Sequence, residues 1–184
     1  MGDFNGDGKL DVVVAGGGSA KYPDSGVAVS LGNGDGTFTQ ATGSPISLGQ
    51  DLSAIVAGDF NGDGKLDVAV TDYAGNAVFI LLGNGDGTFQ SSSAIAVGSE
   101  PEAIVAGDFN DDGKLDLAVA NYGDNTVTLL LGNGDGTFTA ASGSPYAAGK
   151  GPLAITAADF NGDGKLDLVV ANGTDGTVSI LLQQ

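Results

Sequence analysis

The chain has 184 residues, 33 of them glycine, and carries 23 acidic against 6 basic residues for a net charge of −17. It has no His, Cys, Arg or Trp, which excludes disulfides, imidazole or thiolate catalysis and ordinary zinc or haem ligation, and an arginine-free acidic chain is excluded as a binder of nucleic-acid phosphates. Apolar residues, at 41%, suffice for a core, yet no apolar run approaches the roughly 18 residues of a membrane span, the first five residues do not read as a signal peptide, and the acids are too evenly spread to form an acidic tail.

The chain opens on Gly-Asp-Phe-Asn-Gly-Asp-Gly-Lys-Leu-Asp at 2–11. The same ten residues return at 58–67, at 107–116 with Asp111 for glycine, and at 158–167 with Ala158 for glycine. A second motif, Leu-Gly-Asn-Gly-Asp-Gly-Thr-Phe, occupies 31–38, 82–89 and 131–138. With first aspartates at 3, 59, 108 and 159, the period is near 50 residues, which points to a propeller, solenoid or array.

The first repeat, 1–49, lacks the apolar part of its leading strand, because Met1 aligns with Ala57. The second, 50–99, reads as four short strands: 54–57 leading into Asp59-Phe60, then 66–70, 77–82, and a last segment from Thr88-Phe89 towards Ala94–Val97. The third, 100–150, repeats the pattern, and the fourth, 151–184, stops before its last strand. The runs are short, rich in β-branched residues and bounded by Gly, Asn and Asp. The middle two are almost continuously apolar, as for strands covered on both faces, and no stretch has helical periodicity. The expected fold is all-β: a single repeat domain forming a propeller, or part of one, with four-stranded antiparallel blades. Asn33-Gly34-Asp35-Gly36 and its copies read as tight hairpins. The competing readings are a second metal site and a calcium β-roll, and a roll needs its nine-residue unit in tandem. Phe4, Phe60, Phe109 and Phe160, with Phe38, Phe89 and Phe138, take repeat-equivalent places and are expected between blades.

In Asp59-Phe60-Asn61-Gly62-Asp63-Gly64-Lys65-Leu66-Asp67, oxygen side chains fall at positions 1, 3, 5 and 9, with glycine at the sharp turn of position 6. The first six residues match the start of an EF-hand loop, but position 12 is Val70 rather than a bidentate Glu, and a strand follows instead of a helix. The loop thus reads as a nine-residue calcium site between two strands, completed by the carbonyl of position 7, whose lysine side chain is left to point into water. Repulsion among its carboxylates, about 1 kcal/mol per pair in water and about 4 at an effective dielectric of 20, is relieved by a hard cation. Calcium suits 6–8 oxygen ligands better than magnesium does. The plain alternative, a solvated acidic turn, is disfavoured by four filled copies that hold 12 of the 23 acids.

This loop, followed by an apolar strand and Gly-Asn-Gly-Asp-Gly-Thr-Phe, resembles the FG-GAP/VCBS repeats, the integrin-like β-propeller repeats of bacterial surface and secreted proteins, and the resemblance covers essentially the whole chain. It implies one calcium per blade, about four in all, between strands one and two. Carried over by position, the side-chain ligands are Asp3, Asn5, Asp7 and Asp11; Asp59, Asn61, Asp63 and Asp67; Asp108, Asn110, Asp112 and Asp116; and Asp159, Asn161, Asp163 and Asp167. The carbonyls are those of Lys9, Lys65, Lys114 and Lys165. Asp111 departs from the pattern, adding a carboxylate and putting the turn or affinity of its loop in question.

The resemblance implies a calcium-binding scaffold or binding module of a secreted or cell-surface protein, for adhesion or for protein or glycan recognition. The alternative is the non-catalytic propeller portion of a larger secreted enzyme. An enzyme in its own right is not expected, since the carboxylates are repeat-equivalent and glycoside hydrolysis needs a singular pair. Residues that break the repeat are candidates for specificity: 16–24, Asp72-Tyr73 and Asn121-Tyr122. Tyr22, Tyr73 and Tyr122 follow strand two, against the plainer reading as loop aromatics. The truncated ends suggest a fragment of a longer chain, ahead of a four-bladed ring or a self-associating half-propeller. In each case exposed blade edges invite pairing with another chain.

Overall fold

The structure is a computed structural model and describes residues 1–16, 26–91 and 94–183. Four antiparallel sheets follow one another along the chain. The first holds β1 (Val12–Gly16), β2 (Gly26–Gly32), β3 (Phe38–Gln40) and β4 (Ile46–Ser47). The second holds β5 (Leu52–Gly58), β6 (Asp67–Asp72), β7 (Ala77–Gly83), β8 (Phe89–Ser91) and β9 (Ile95–Ala96). The third repeats this with β10 (Pro101–Gly107), β11 (Asp116–Asn121), β12 (Thr126–Gly132), β13 (Phe138–Ala140) and β14 (Tyr146–Ala147). The fourth has β15 (Pro152–Ala158), β16 (Asp167–Asn172) and β17 (Thr177–Leu181). No helix among the described residues is long and apolar enough to cross a membrane.

Each sheet is a propeller-like blade whose strands pair in chain order. The apolar runs read from the sequence become the middle strands, and β6 and β11 are buried along their whole length. In the first blade the leading strand is reduced to a bridge between Gly2 and Asp11. The expected single outer strand is instead broken in two, both halves pairing with the third strand (Leu81↔Ser91 and Val78↔Ile95 in the second blade). At the break in the first and third blades a serine hydroxyl replaces the missing ladder partner. Ser44 Oγ accepts the Val29 N–H at 2.8 Å and Ser144 Oγ the Leu129 N–H at 2.9 Å. The following Pro45 and Pro145 have no N–H to offer the ladder.

Successive blades stack face to face: β1 lies against β5, β5 against β10 and β10 against β15, with no comparable contact between β15 and β1. The described blades therefore form an open arc rather than a closed ring. Three apolar cores lie between neighbouring blades. The first joins Val13, Val27 and Val29 to Val68, Val70 and Leu81; the second joins Val78 and Ile80 to Leu117, Val119 and Leu130; the third joins Ala118 and Val127 to Leu168 and Val170.

The phenylalanines pair across these interfaces. Phe4 of one blade meets Phe89 of the next at 5.7 Å between ring centroids, and Phe60 meets Phe138 at the same distance. The expectation of a core position holds for Phe4, Phe60 and Phe109, at 2%, 2% and 6% exposure, but fails for Phe38 and Phe160, at 51% and 49%. The reason is geometric: each needs the face of an adjacent blade to cover it, as Leu168 of the fourth blade covers Phe109, and Phe38 lies in the first described blade and Phe160 in the fourth.

Candidate metal centre

The acidic loops join the first and second strands of the blades. In the second blade Asp59 Oδ1 accepts the N–H groups of Gly62 at 2.8 Å and Asp63 at 3.2 Å, and Oδ2 accepts that of Gly64 at 2.9 Å. Asn61 Oδ1 accepts the Asp63 N–H at 3.0 Å, and Asp63 Oδ1 accepts the Lys65 N–H at 3.0 Å. The chain can wind around one carboxylate because Gly62 and Gly64 take φ of 73° and 80°, a region costly for residues with a Cβ. Asp3 and Asp159 organise their loops in the same way. In the third loop Asp108 holds the N–H groups of Asp112 and Gly113. Asp111 there keeps the left-handed turn, with φ of 59°, which Asp tolerates better than most residues, but the N–H that Gly62 and its copies give the first aspartate is not among those Asp108 holds. The Asp111 carboxylate accepts the Gln183 side-chain amide at 3.1 Å.

The position-9 aspartates, Asp11, Asp67, Asp116 and Asp167, are completely buried. Asp67 Oδ2 accepts the Phe60 N–H at 2.9 Å and Oδ1 the Gly83 N–H at 2.8 Å. Asp11 binds Phe4 and Gly32, Asp116 binds Phe109 and Gly132, and Asp167 binds Phe160 and Gln183 in the same way. Each carboxylate thus pins its acidic loop to the end of the third strand. This tether is not evident from loop spacing, because the second partner lies 16 residues beyond Asp67.

The lysine of position 7 does not simply point into water. Lys9, Lys65 and Lys114 pair with Asp7, Asp63 and Asp112 at 3.1, 3.5 and 3.6 Å. A Cβ added to Gly34, Gly85 or Gly134 would meet the lysine stem at 3.0–3.1 Å, so the stem lies over the hairpin glycine. The hairpins are as expected, with Asp35, Asp86 and Asp135 each accepting the N–H and hydroxyl of the threonine two residues on.

These contacts set the electrostatics. Burial pushes the carboxyls of Asp67 and Asp116 up, against the N–H bonds they receive, and the neighbouring loop aspartates add to the rise. Asp7, Asp63 and Asp112 are lowered, foremost by the N–H of the lysine two residues on. Asp159 is lowered foremost by the Gly164 N–H.

Among the described residues, no three acidic side chains close together as a ready metal cluster. Position 1 is turned to the loop N–H groups, position 5 to its lysine, and position 9 to the buried N–H pair. The donor set nonetheless fits a hard cation by its chemistry. It consists of carboxylate, amide and backbone oxygens, without nitrogen or sulfur. Each carboxylate oxygen also has more than one acceptor site, so one N–H bond does not exhaust it.

The tyrosines lie at the other end of the blades, after the second strand. The Tyr73 N–H donates to the Asp51 carbonyl at 2.7 Å and the Tyr122 N–H to the Glu100 carbonyl at 2.9 Å. The Glu100 carboxylate beside the Tyr73 phenol pushes its pKa above the ordinary 10.0. Both side chains are half-buried. Tyr22, with all of 16–24 except Gly16, lies outside the described residues.

A family model described as an FG-GAP-like repeat matches the chain three times, over residues 3–70, 59–119 and 108–170. Among solved structures, the chain is similar to a functionally unknown protein from Desulfotomaculum acetoxidans, with 18% identity and a TM-score of 0.63 over 94% of this chain and 51% of that one. The chain therefore spans about half the length of that relative, and the likeness supports the fold alone. No curated protein matches the chain.

Proposed function

Because the chain belongs to the FG-GAP-like repeat family, we propose that it is a calcium-binding, non-enzymatic binding module of a secreted or cell-surface protein, serving adhesion or the recognition of a protein or glycan. The observation that carries this reading is the acidic loop wound around its first aspartate, with its glycines already in the left-handed turn and its oxygens at positions 1, 3, 5 and 9. Asp59, Asn61, Asp63, the Lys65 carbonyl and Asp67 would hold one ion, and the other three loops would do so with their equivalent residues. The ion supplies positive charge to crowded carboxylates and ties the first strand to the second. Asp67 meanwhile keeps the loop fixed to the third strand through Phe60 and Gly83.

The ends of the blades opposite the acidic loops, carrying Tyr73, Glu100 and Tyr122, are the proposed recognition surface.

Titration calorimetry on dialysed protein tests the metal. About four calcium ions should bind, with dissociation constants of about 10⁻⁴–10⁻³ M. Absence of heat at millimolar calcium, with a melting curve unmoved by calcium, would sink the assignment.

A further inference from the structure

We propose that Lys9, Lys65 and Lys114 are built-in counter-ions of their acidic loops. Each ammonium occupies the position-5 carboxylate that a bound calcium would take, so lysine and calcium compete for it and the lysine sets how tightly the loop binds. This rests on the calcium-binding reading above and assigns the lysine side chain a part in it, beside the carbonyl that the same residue would offer the ion.

In these three loops one lysine reaches both oxygens of the position-5 carboxylate. Its N–H donates to Oδ1 of Asp7, Asp63 or Asp112 at 2.9, 3.0 and 2.9 Å. Its ammonium lies against Oδ2 of the same aspartate at 3.1, 3.5 and 3.6 Å. The fourth loop differs, for there the Asn161 side-chain amide donates to Asp163 Oδ2 at 3.0 Å.

The hairpin of the same blade fixes the lysine stem. A Cβ on Gly34, Gly85 or Gly134 would meet the lysine Cδ at 3.1, 3.0 and 3.1 Å and its Cε at 3.3, 3.2 and 3.3 Å, so glycine leaves the stem its path across the turn. The ammonium thereby also faces the hairpin carboxylate. Asp35, Asp86 and Asp135 are held below the ordinary 3.8 foremost by the hydroxyl of the threonine two residues on, and the charges of Lys9, Lys65 and Lys114 add to this. The chain has six lysines and no arginine against 23 acids, and four of the six stand at position 7 of a loop.

A calcium ion entering such a loop must displace the ammonium from Oδ2 or bind beside a like charge. The pairs are partly exposed, with the lysine side chains at 45%, so the effect is bounded. An exposed ion pair changes an equilibrium by at most about fivefold, and repulsion between the ammonium and the ion adds to that.

Lys65→Met tests this, because it keeps the stem over Gly85 and removes the charge. Lys150→Met is its control. It removes one equal charge at the opposite end of the blades, where the Lys150 N–H donates to Asp175. Calcium titrations followed by NMR on the Gly64 and Gly113 amides read the second and third loops separately. In about 0.02 M salt, where charges are weakly screened, Lys65→Met should tighten the second loop about three- to tenfold. The third loop should stay within about twofold, since repeat units are largely independent. Lys150→Met should move neither. In the parent, the Lys65 ammonium resonance should shift over the same calcium range as the Gly64 amide. Circular dichroism in EDTA checks folding, and Lys114→Met repeats the test in the third loop.

A parent that binds calcium and a Lys65→Met that binds it no tighter would overturn the proposal and leave the calcium reading standing. Equal gains from Lys65→Met and Lys150→Met would overturn it as well, tracing affinity to net charge alone. Amides and melting curves unmoved by millimolar calcium in every one of these proteins would remove the calcium reading itself, and this inference with it.

Discussion

Asp67 and Gly83 are joined by a 2.8 Å hydrogen bond in which the glycine N–H donates to the buried carboxylate, while the other carboxylate oxygen holds the Phe60 N–H. One side chain thus ties the start of the acidic loop, the second strand and the end of the third. Removing it strands two buried N–H groups, each costing about 1–3 kcal/mol. Asp67→Ala should therefore lose about 2–5 kcal/mol in urea unfolding carried out in EDTA, where no ion contributes. Asp63→Ala, at an exposed site, should stay within about 1 kcal/mol. Equal losses in the two variants would deny the tether.

The interface glycines make a second prediction. A Cβ on Gly58 would approach Leu115 to 2.7 Å and the Phe60 ring to 3.0 Å. Gly58→Ala should cost about 1–3 kcal/mol by overpacking the seam between the second and third blades. Gly8→Ala meets no atom within 4 Å, so its cost is confined to backbone strain at a φ of 80°. A stability of Gly58→Ala equal to the parent by denaturant midpoint would show that Leu115 yields freely.

The acidic loop was legible in the sequence because its contacts are local: Asp59 reaches N–H groups only three to five residues on. The blade strands were legible because β6 and β11 are buried on both faces and so read as apolar runs. The broken outer strand was not, since it depends on Ser44 and Ser144 each reaching an N–H 15 residues back. Nor was the exposure of Phe38 and Phe160. Repeat position makes them equivalent to buried rings, and only the stacking order reveals which rings lack a neighbour.

Asp86 gives a pH prediction away from the proposed ion sites. The Thr88 hydroxyl, then its N–H, holds the carboxyl below the ordinary 3.8. A carboxyl lowered on folding adds stability above its unfolded pKa and loses it as pH falls through the folded one. Its contribution should therefore be intact above about pH 4 and fade below 3.8. Titration of the Asp86 carboxyl carbon by NMR should give a midpoint below 3.8, and Thr88→Val should move it upward. A midpoint at or above 3.8 in the parent would contradict the hairpin geometry.

Calcium removal should act on the whole chain. At a dissociation constant of about 10⁻⁴ M and about 1 mM calcium, one site adds about 1.4 kcal/mol, and four independent sites about 6. That is comparable to the stability of a typical domain. The melting temperature should fall sharply in EDTA, and calcium added back should restore it. A curve unchanged by EDTA would mean that the Asp67-type tethers and loop N–H bonds hold the loops unaided.

The last prediction separates an ion that shapes the blade from one that meets a ligand. The acidic loops and the tyrosines stand at opposite ends of the blades, and repeat units couple mainly to their nearest neighbours. Asp63→Ala should remove one calcium from the stoichiometry and leave the other three. Binding to any glycan or protein found by array screening should persist in this variant at saturating calcium and low temperature. Tyr73→Ala should do the reverse. It removes the phenol beside Glu100, weakening the ligand while leaving calcium stoichiometry unchanged and the melting temperature within a few degrees. Tyr73→Phe tells the hydroxyl from the ring: retained affinity assigns the contact to the ring face. If Asp63→Ala abolished ligand binding in a protein still folded by circular dichroism, the ion would have to touch the ligand itself, and the recognition surface would move to the acidic-loop end.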